Sequence, residues 1–218
     1  MRYIFGNWKA NKQFAEVREW LYVFTREYRK TQQTTVGIFP PFPFISYVQG
    51  KLKDCKNVAI GAQTISSYEK GSHTGEVTAT TLEGMVDYVI IGHSERRKEF
   101  KETDAELAQK VEQALLHKIK PVYCVRDDHD PIPPGVEIVA YEPVAAIGTG
   151  QNEPPEQTVA MKKKMKLPKN CIFIYGGSVT EQNAYDYFAT GEIDGFLIGK
   201  ASLDPHQLLA IAHIAEGR

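Results

Sequence analysis

A chain of 218 residues, 42% hydrophobic and 24% charged, has the balance of an ordinary globular protein and the length to bury a sizeable core. Its net charge of -1 excludes a general electrostatic attraction to nucleic acid or to an anionic membrane, and no apolar run approaches the roughly 20 residues that a bilayer span needs. Cys55, Cys124 and Cys171 are an odd set without metal-like spacing, which argues against a disulfide framework or a zinc site. Met1–Lys9 carries no long apolar signal region, so the sequence reads as a reduced, cytoplasmic protein.

Along the chain, short β-rich runs alternate with helical patterns. The predicted strands are Tyr3–Trp8, Thr35–Phe39, Val58–Ala62, Tyr88–Gly92, Pro121–Val125, Glu137–Tyr141, Cys171–Tyr175 and Gly195–Gly199. Most are continuously apolar rather than alternating, as expected of a parallel sheet buried on both faces. Phe14, Val17, Leu21, Phe24 and Tyr28 form an apolar stripe at helical spacing after the first strand. Leu107, Val111, Ala114 and Leu115 form another, in a helix opened by the capping-box pair Thr103 and Glu106. The last helix opens at Asp204-Pro205, an N-cap followed by proline at the first helical position. No linker divides the chain, so residues 1–218 are expected to form one domain.

Eight strands with intervening helices predict an α/β fold, a compact (β/α)8 TIM barrel, with a doubly wound open sheet as the alternative. One connection is irregular. Arg126–Gly135 holds three prolines and no apolar stripe, which forbids a normal helix. The barrel is therefore expected to lack the outer helix between strands five and six, which uncovers part of its wall, with Pro131, Ile132, Pro133 and Pro134 covering it in part.

Active sites of such barrels lie at the carboxyl ends of the strands, and the chemistry-bearing residues fall there. Asn7 and Lys9 follow the first strand, His93 and Glu95 the fourth, and Glu142 the sixth. Glycine turns follow the seventh and eighth, Gly176-Gly177-Ser178 and Gly199-Lys200-Ala201-Ser202. Each feature alone has a plainer reading: a structural histidine, a surface lysine, a solvated acid, a simple turn. The run Glu95-Arg96-Arg97-Lys98-Glu99 reads mostly as a solvated helix face. The conjunction on one barrel face changes that. Glycine turns expose backbone N–H groups that cradle phosphate. A carboxylate can take a proton beside a carbonyl, an imidazole can polarise that carbonyl, and an ammonium can stabilise the developing negative charge. After Glu142, Pro143 stiffens one end of a small-residue loop and Gly148 and Gly150 free the other, a pattern suited to a closing lid. The set fits isomerisation of a small phosphorylated hydroxy-carbonyl compound, and no metal cluster or dinucleotide fingerprint competes with it.

The segments FGNWKAN (5–11), GAQ (61–63), HTGEVTA (73–79), IIGHSERR (90–97), AYEPVAAIGTG (140–150), IYGGSV (174–179) and DGFLIGKASL (194–203) closely resemble the triosephosphate isomerase family, in the family's order and across nearly the whole chain. The resemblance implies Glu142 as base, His93 as neutral electrophile, Lys9 and Asn7 as the charge-stabilising and orienting pair, and Glu95 as a supporting acid. It implies a phosphate cradle of Gly148, Gly177, Ser178, Gly199 and the backbone of Lys200, and no cofactor. It also implies a homodimer through loop 66–75, with Thr74 reaching the partner's site, and a small phosphorylated triose as substrate.

Three positions depart from the family pattern. Ala145 stands for a lid tryptophan, Asp127 for a glutamate, and Lys200 for a glycine that, if its φ were positive, would leave lysine strained. These departures keep open two other readings: a catalytically impaired barrel that binds phosphorylated ligands, and a lyase that eliminates phosphate to give methylglyoxal.

Overall fold

The computed structural model describes residues 1–143 and 152–217. Eight parallel strands close into a barrel in sequence order: β1 (Arg2–Asn7), β2 (Thr34–Phe39), β3 (Val58–Ala62), β4 (Tyr88–Ile91), β5 (Lys120–Val125), β6 (Ile138–Tyr141), β7 (Ile172–Tyr175) and β8 (Gly195–Ile198). Closure is by the pairing of Tyr3 to Gly6 with Gly195 to Ile198. The open-sheet alternative is thereby excluded, and each predicted strand lies within a residue or so of its observed bounds.

Two layers of core explain the continuous apolar runs. Phe5, Phe39, Tyr88, Ile90, Val122, Ile174 and Leu197 pack together in one buried cluster. The neighbouring strand residues, such as Ile4, Val89, Tyr123 and Phe173, belong to a larger buried cluster shared with the helices. In a closed barrel, successive residues face the lumen and the helical jacket in turn, so both faces must be apolar.

The helices are α1 (Phe14–Glu27), α2 (Ile45–Leu52), α3 (Ala79–Leu82), α4 (Ser94–Glu99), α5 (Asp104–Leu116), α6 (Pro155–Lys164), α7 (Ala184–Ala189) and α8 (Pro205–Ala215). The Thr103–Glu106 capping box forms at the start of α5, and Asp204 caps α8 by accepting the His206 N–H. The two apolar stripes need correction at their ends. Val17, Leu21 and Phe24 are buried, whereas Phe14 is half-exposed against Phe44 and Tyr47. Leu107, Val111 and Ala114 are buried, whereas Leu115 is exposed, because the position after Ala114 turns about 100° away from the core.

No helix joins β5 to β6, as the three prolines require. The cover expected from Pro131 and Ile132 is found, and it leaves the strand residues there buried. Tyr123 and Val125 are fully buried. The Tyr123 hydroxyl donates to the Pro131 carbonyl at 3.0 Å, and Ile132 packs on the core from the same loop. The loop is pinned by Asp130, which accepts from the Arg126 guanidinium at 2.6 and 3.0 Å and from its backbone N–H at 2.7 Å. Burial acts to raise the Asp130 pKa, but the Arg126 hydrogen bonds and the Arg97 charge outweigh it and hold the carboxyl below its ordinary range. A depressed carboxyl stabilises the fold above its unfolded pKa, about 3.9, and loses that contribution as pH falls through the folded value. Asp130→Asn should therefore lower stability by about 1–2 kcal/mol near neutral pH, and the deficit should shrink below about pH 4. Denaturant melts of both proteins from pH 7 to 3 check this; a deficit independent of pH would refute the charge argument.

Candidate active site

The strand ends meet in one cleft of about 960 Å³, lined by Asn7, Lys9, His93, Glu142, Gly177, Ser178, Gly199 and Lys200 among others. Gly148 and Ala145 lie outside the described residues.

Glu142 leaves β6 into the barrel mouth and is 1% exposed. Its Oε2 accepts the backbone N–H of Ser94 at 2.8 Å, and its Oε1 lies 3.0 Å from His93 Nε2. His93 is the N-cap of α4, and its Nδ1 accepts the Glu95 N–H at 3.2 Å. A nitrogen that accepts a hydrogen bond carries no proton. The imidazole is thus a neutral tautomer with its one proton on Nε2, aimed at Glu142. Gly92, which turns the chain from β4 into this cap, has φ +78°, and a Cβ there would meet the Cys124 carbonyl at 3.3 Å and Arg97 Nη2 at 3.0 Å. Behind the acid, Cys124 is fully buried, and burial first, with the Glu142 carboxylate adding to it, pushes its thiol well up. It is an inert core thiol.

In the same cleft Lys9 has φ +53°, a left-handed conformation costing a non-glycine residue about 1 kcal/mol or more. Three groups hold it there. Asn7 Oδ1 accepts its backbone N–H at 3.0 Å, Gln63 Nε2 donates to its carbonyl at 2.9 Å, and Glu95 Oε1 pairs with Nζ at 2.5 Å. Gln63 also donates to the Phe39 carbonyl at 2.9 Å, tying the lysine to the end of β2. In the sequence Gln63 stands out only as part of the segment GAQ (61–63), with no role attached. Arg97 was likewise missed as one of the solvated charges. It is 8% exposed, donates to the Gly92 carbonyl at 2.9 Å and pairs with Asp104 at 2.8 Å.

The structure answers the question of strain at Lys200. Lys200 is not among the residues with positive φ, and it is exposed at the lip of the cleft. Outside the cleft, on the loop after β5, Asp127, Asp128 and His129 bring ligand-type atoms within 4.8 Å of one another at the surface.

The closed parallel barrel, with titratable side chains and glycine turns gathered at the carboxyl ends of its strands, places the chain in the class of (β/α)8 barrel enzymes. The "Triosephosphate isomerase" family profile matches residues 2–131 and 135–215. The Thermus thermophilus triosephosphate isomerase is 34% identical over 96% of this chain and 97% of its own. That of Mesomycoplasma hyopneumoniae strain 232 is 35% identical over 94% and 95%, and that of Aquifex aeolicus 33% over 97% and 98%. The chain belongs to the triosephosphate isomerase family.

Proposed function

We propose that the chain interconverts dihydroxyacetone phosphate and D-glyceraldehyde 3-phosphate through an enediolate, without a cofactor. The observation that carries this reading is the contact of Glu142 Oε1 with His93 Nε2 at 3.0 Å, in the same cleft as Lys9 and the turns at Gly177 and Gly199. Oε1 occupies the proton that a substrate carbonyl needs. When that carbonyl accepts a hydrogen bond from Nε2–H, Oε1 is released to abstract the proton from the adjacent carbon, and it returns a proton to the former carbonyl carbon to complete the isomerisation. His93 shuttles a proton between the two oxygens, and Lys9, oriented by Asn7 and Glu95, offsets the negative charge of the enediolate. Gly148, Gly177, Ser178, Gly199 and the Lys200 backbone are assigned to the phosphate.

The dimer is part of the same proposal. Loop 66–75 presents Tyr68, half-exposed and stacked on His73 with ring centroids 3.7 Å apart, and the half-exposed Phe14 adds apolar surface for a second copy. Three free cysteines suit a reducing cytoplasmic setting. Among the described residues no helix is long and apolar enough to cross a membrane.

A coupled assay of purified protein with glyceraldehyde 3-phosphate tests the activity. Rapid formation of dihydroxyacetone phosphate is expected. Methylglyoxal as the main product, or tight binding of a phosphorylated triose without turnover, would replace the isomerase by the lyase or the binding barrel.

A further inference from the structure

Loop 66–75, the segment assigned to the dimer, carries local backbone bonds, His73 N–H to the Gly71 carbonyl at 2.9 Å and Glu76 N–H to the His73 carbonyl at 3.1 Å. A tie from outside reaches Glu69, whose carbonyl accepts the Thr80 hydroxyl of α3 at 2.8 Å. The same Thr80 Oγ1 lies 3.2 Å from His117 Nε2, and the other ring nitrogen, Nδ1, lies 2.9 Å from Glu83 Oε2. Three segments thus meet at one imidazole: the loop, α3 with its C-cap Glu83, and the end of α5, whose C-cap is His117.

Counting protons fixes the charge that these contacts require. Thr80 has one hydroxyl proton, and a carbonyl can only accept. That proton goes to Glu69, so Oγ1 meets Nε2 as an acceptor and Nε2 carries a proton. A carboxylate also only accepts, so Nδ1 carries one too. Both nitrogens protonated make an imidazolium, and the C-terminal end of a helix favours a cation. The ring is largely shielded, its side chain 13% exposed. Asp87, Lys118 and Lys120 line the same cavity of about 520 Å³ as Glu83 and His117. On the loop, Glu69 and Lys70 are exposed, and His73, stacked on Tyr68, is a second titratable ring.

We propose that His117 is a proton-operated latch on loop 66–75, holding the loop to the barrel when the ring is an imidazolium and loosening it when the ring is neutral. On deprotonation Nδ1 keeps its proton against Glu83, and Nε2 becomes an acceptor. It then competes with the Glu69 carbonyl for the single Thr80 proton, and one of the two contacts must be given up. The tie is therefore complete in acid and is lost as pH rises through the titration of the ring. Its effect on the assembly rests on the reading of loop 66–75 as the dimer contact, whereas the latch itself is a property of one chain.

The test follows amide hydrogen exchange of loop 66–75 from about pH 5.5 to about pH 8.5, corrected at each pH for the intrinsic rate, beside an NMR titration of the His117 ring. The opening constant of the loop should rise about fivefold across that titration, the worth of one hydrogen bond. Thr80→Val, which keeps the shape and removes the hydroxyl, should show the high-pH opening at every pH. His117→Gln should lose the pH dependence, and His73→Gln should keep it. An opening constant that stays level while His117 titrates, a ring that does not titrate in this range, or a pH dependence carried by His73 in place of His117 would overturn the latch. Sedimentation of the same samples judges the dimer separately. A dimer Kd that rises in step with loop opening is expected. A chain that is monomeric at every pH, yet whose loop still opens with the His117 titration, would uphold the latch and sink the dimer.

Discussion

Glu142→Gln is expected to lower kcat by about three to four orders of magnitude while the Kd for inorganic phosphate stays within about twofold. The upper range of general-base catalysis sets the first figure, and the second follows because the glycine turns at Gly177 and Gly199, assigned to the phosphate, follow β7 and β8 and not the strand that carries Glu142. The substitution keeps the shape of the side chain and removes its charge, and the surroundings make the change severe. Oε2 accepts the Ser94 N–H at 2.8 Å and Oε1 faces His93 Nε2 at 3.0 Å. Both neighbours are donors, and the His93 tautomer is fixed by the Glu95 N–H on Nδ1. A carboxylate accepts from both sides. An amide accepts from one side only, so whichever way it is turned its NH2 opposes a donor. At a position that is 1% exposed, that mismatch should also cost about 1–3 kcal/mol of stability. Kinetics, phosphate calorimetry and a denaturant melt measure the three effects together. Turnover within about tenfold of the parent would show that another group moves the proton.

The barrel itself was legible in the sequence because its signals are local. A parallel strand buried on both faces must be an apolar run, and the stops between such runs are caps and glycines. Asp204-Pro205 and Thr103 with Glu106 marked helix starts for the same reason, since a cap is a contact between residues two or three apart. The connection without a helix was equally readable, three prolines being enough to forbid one. That Pro131 and Ile132 would cover the wall was readable in part, but the contacts that pin them there were not. The cover depends on the Tyr123 hydroxyl reaching Pro131 and on Arg126 grasping Asp130, and no pattern at helical or strand period encodes such reach. Arg97 illustrates the same limit. In sequence it is one of three consecutive cations, and only the turn of α4 against β5 decides that it, and neither Arg96 nor Lys98, is buried.

The residue types of the site were legible as strand-end chemistry and through family resemblance, while their mutual geometry was not. Residues 7, 93 and 142 come together because the barrel closes, and closure is a property of all eight strands. Gln63 escaped notice because its task is to hold the backbone of Lys9, a conformation that no residue type announces. The loop read as a lid, with Ala145 and Gly148, falls outside the described residues, so its altered packing rests on the sequence alone.

Gly176→Ala should reduce kcat about hundredfold although Gly176 supplies no side chain to the chemistry. Gly176 follows β7, and its N–H donates to the Tyr141 carbonyl at 2.7 Å. A Cβ at this position would lie 2.8 Å from Glu142 Cγ and 3.2 Å from the Tyr141 carbonyl oxygen. The carbonyl is held in the sheet, so the Glu142 side chain is the part that gives way. It has little room, being buried with both oxygens already engaged. A displacement of several tenths of an ångström to about 1 Å then misaligns the base with the carbon it must deprotonate, and misplacement of that size costs about hundredfold in rate. Glycine at 176 is therefore read as a positioning residue for the base, as well as one member of a phosphate turn. Two readouts separate these roles. If the effect passes through Glu142, adding Gly176→Ala to Glu142→Gln should cost little further rate, because the base it displaces is already lost. The phosphate Kd of Gly176→Ala should stay within about threefold of the parent. A full hundredfold loss repeated in the Glu142→Gln background, or a collapse of phosphate binding, would place the damage in the turn after β7 and leave the base where it was.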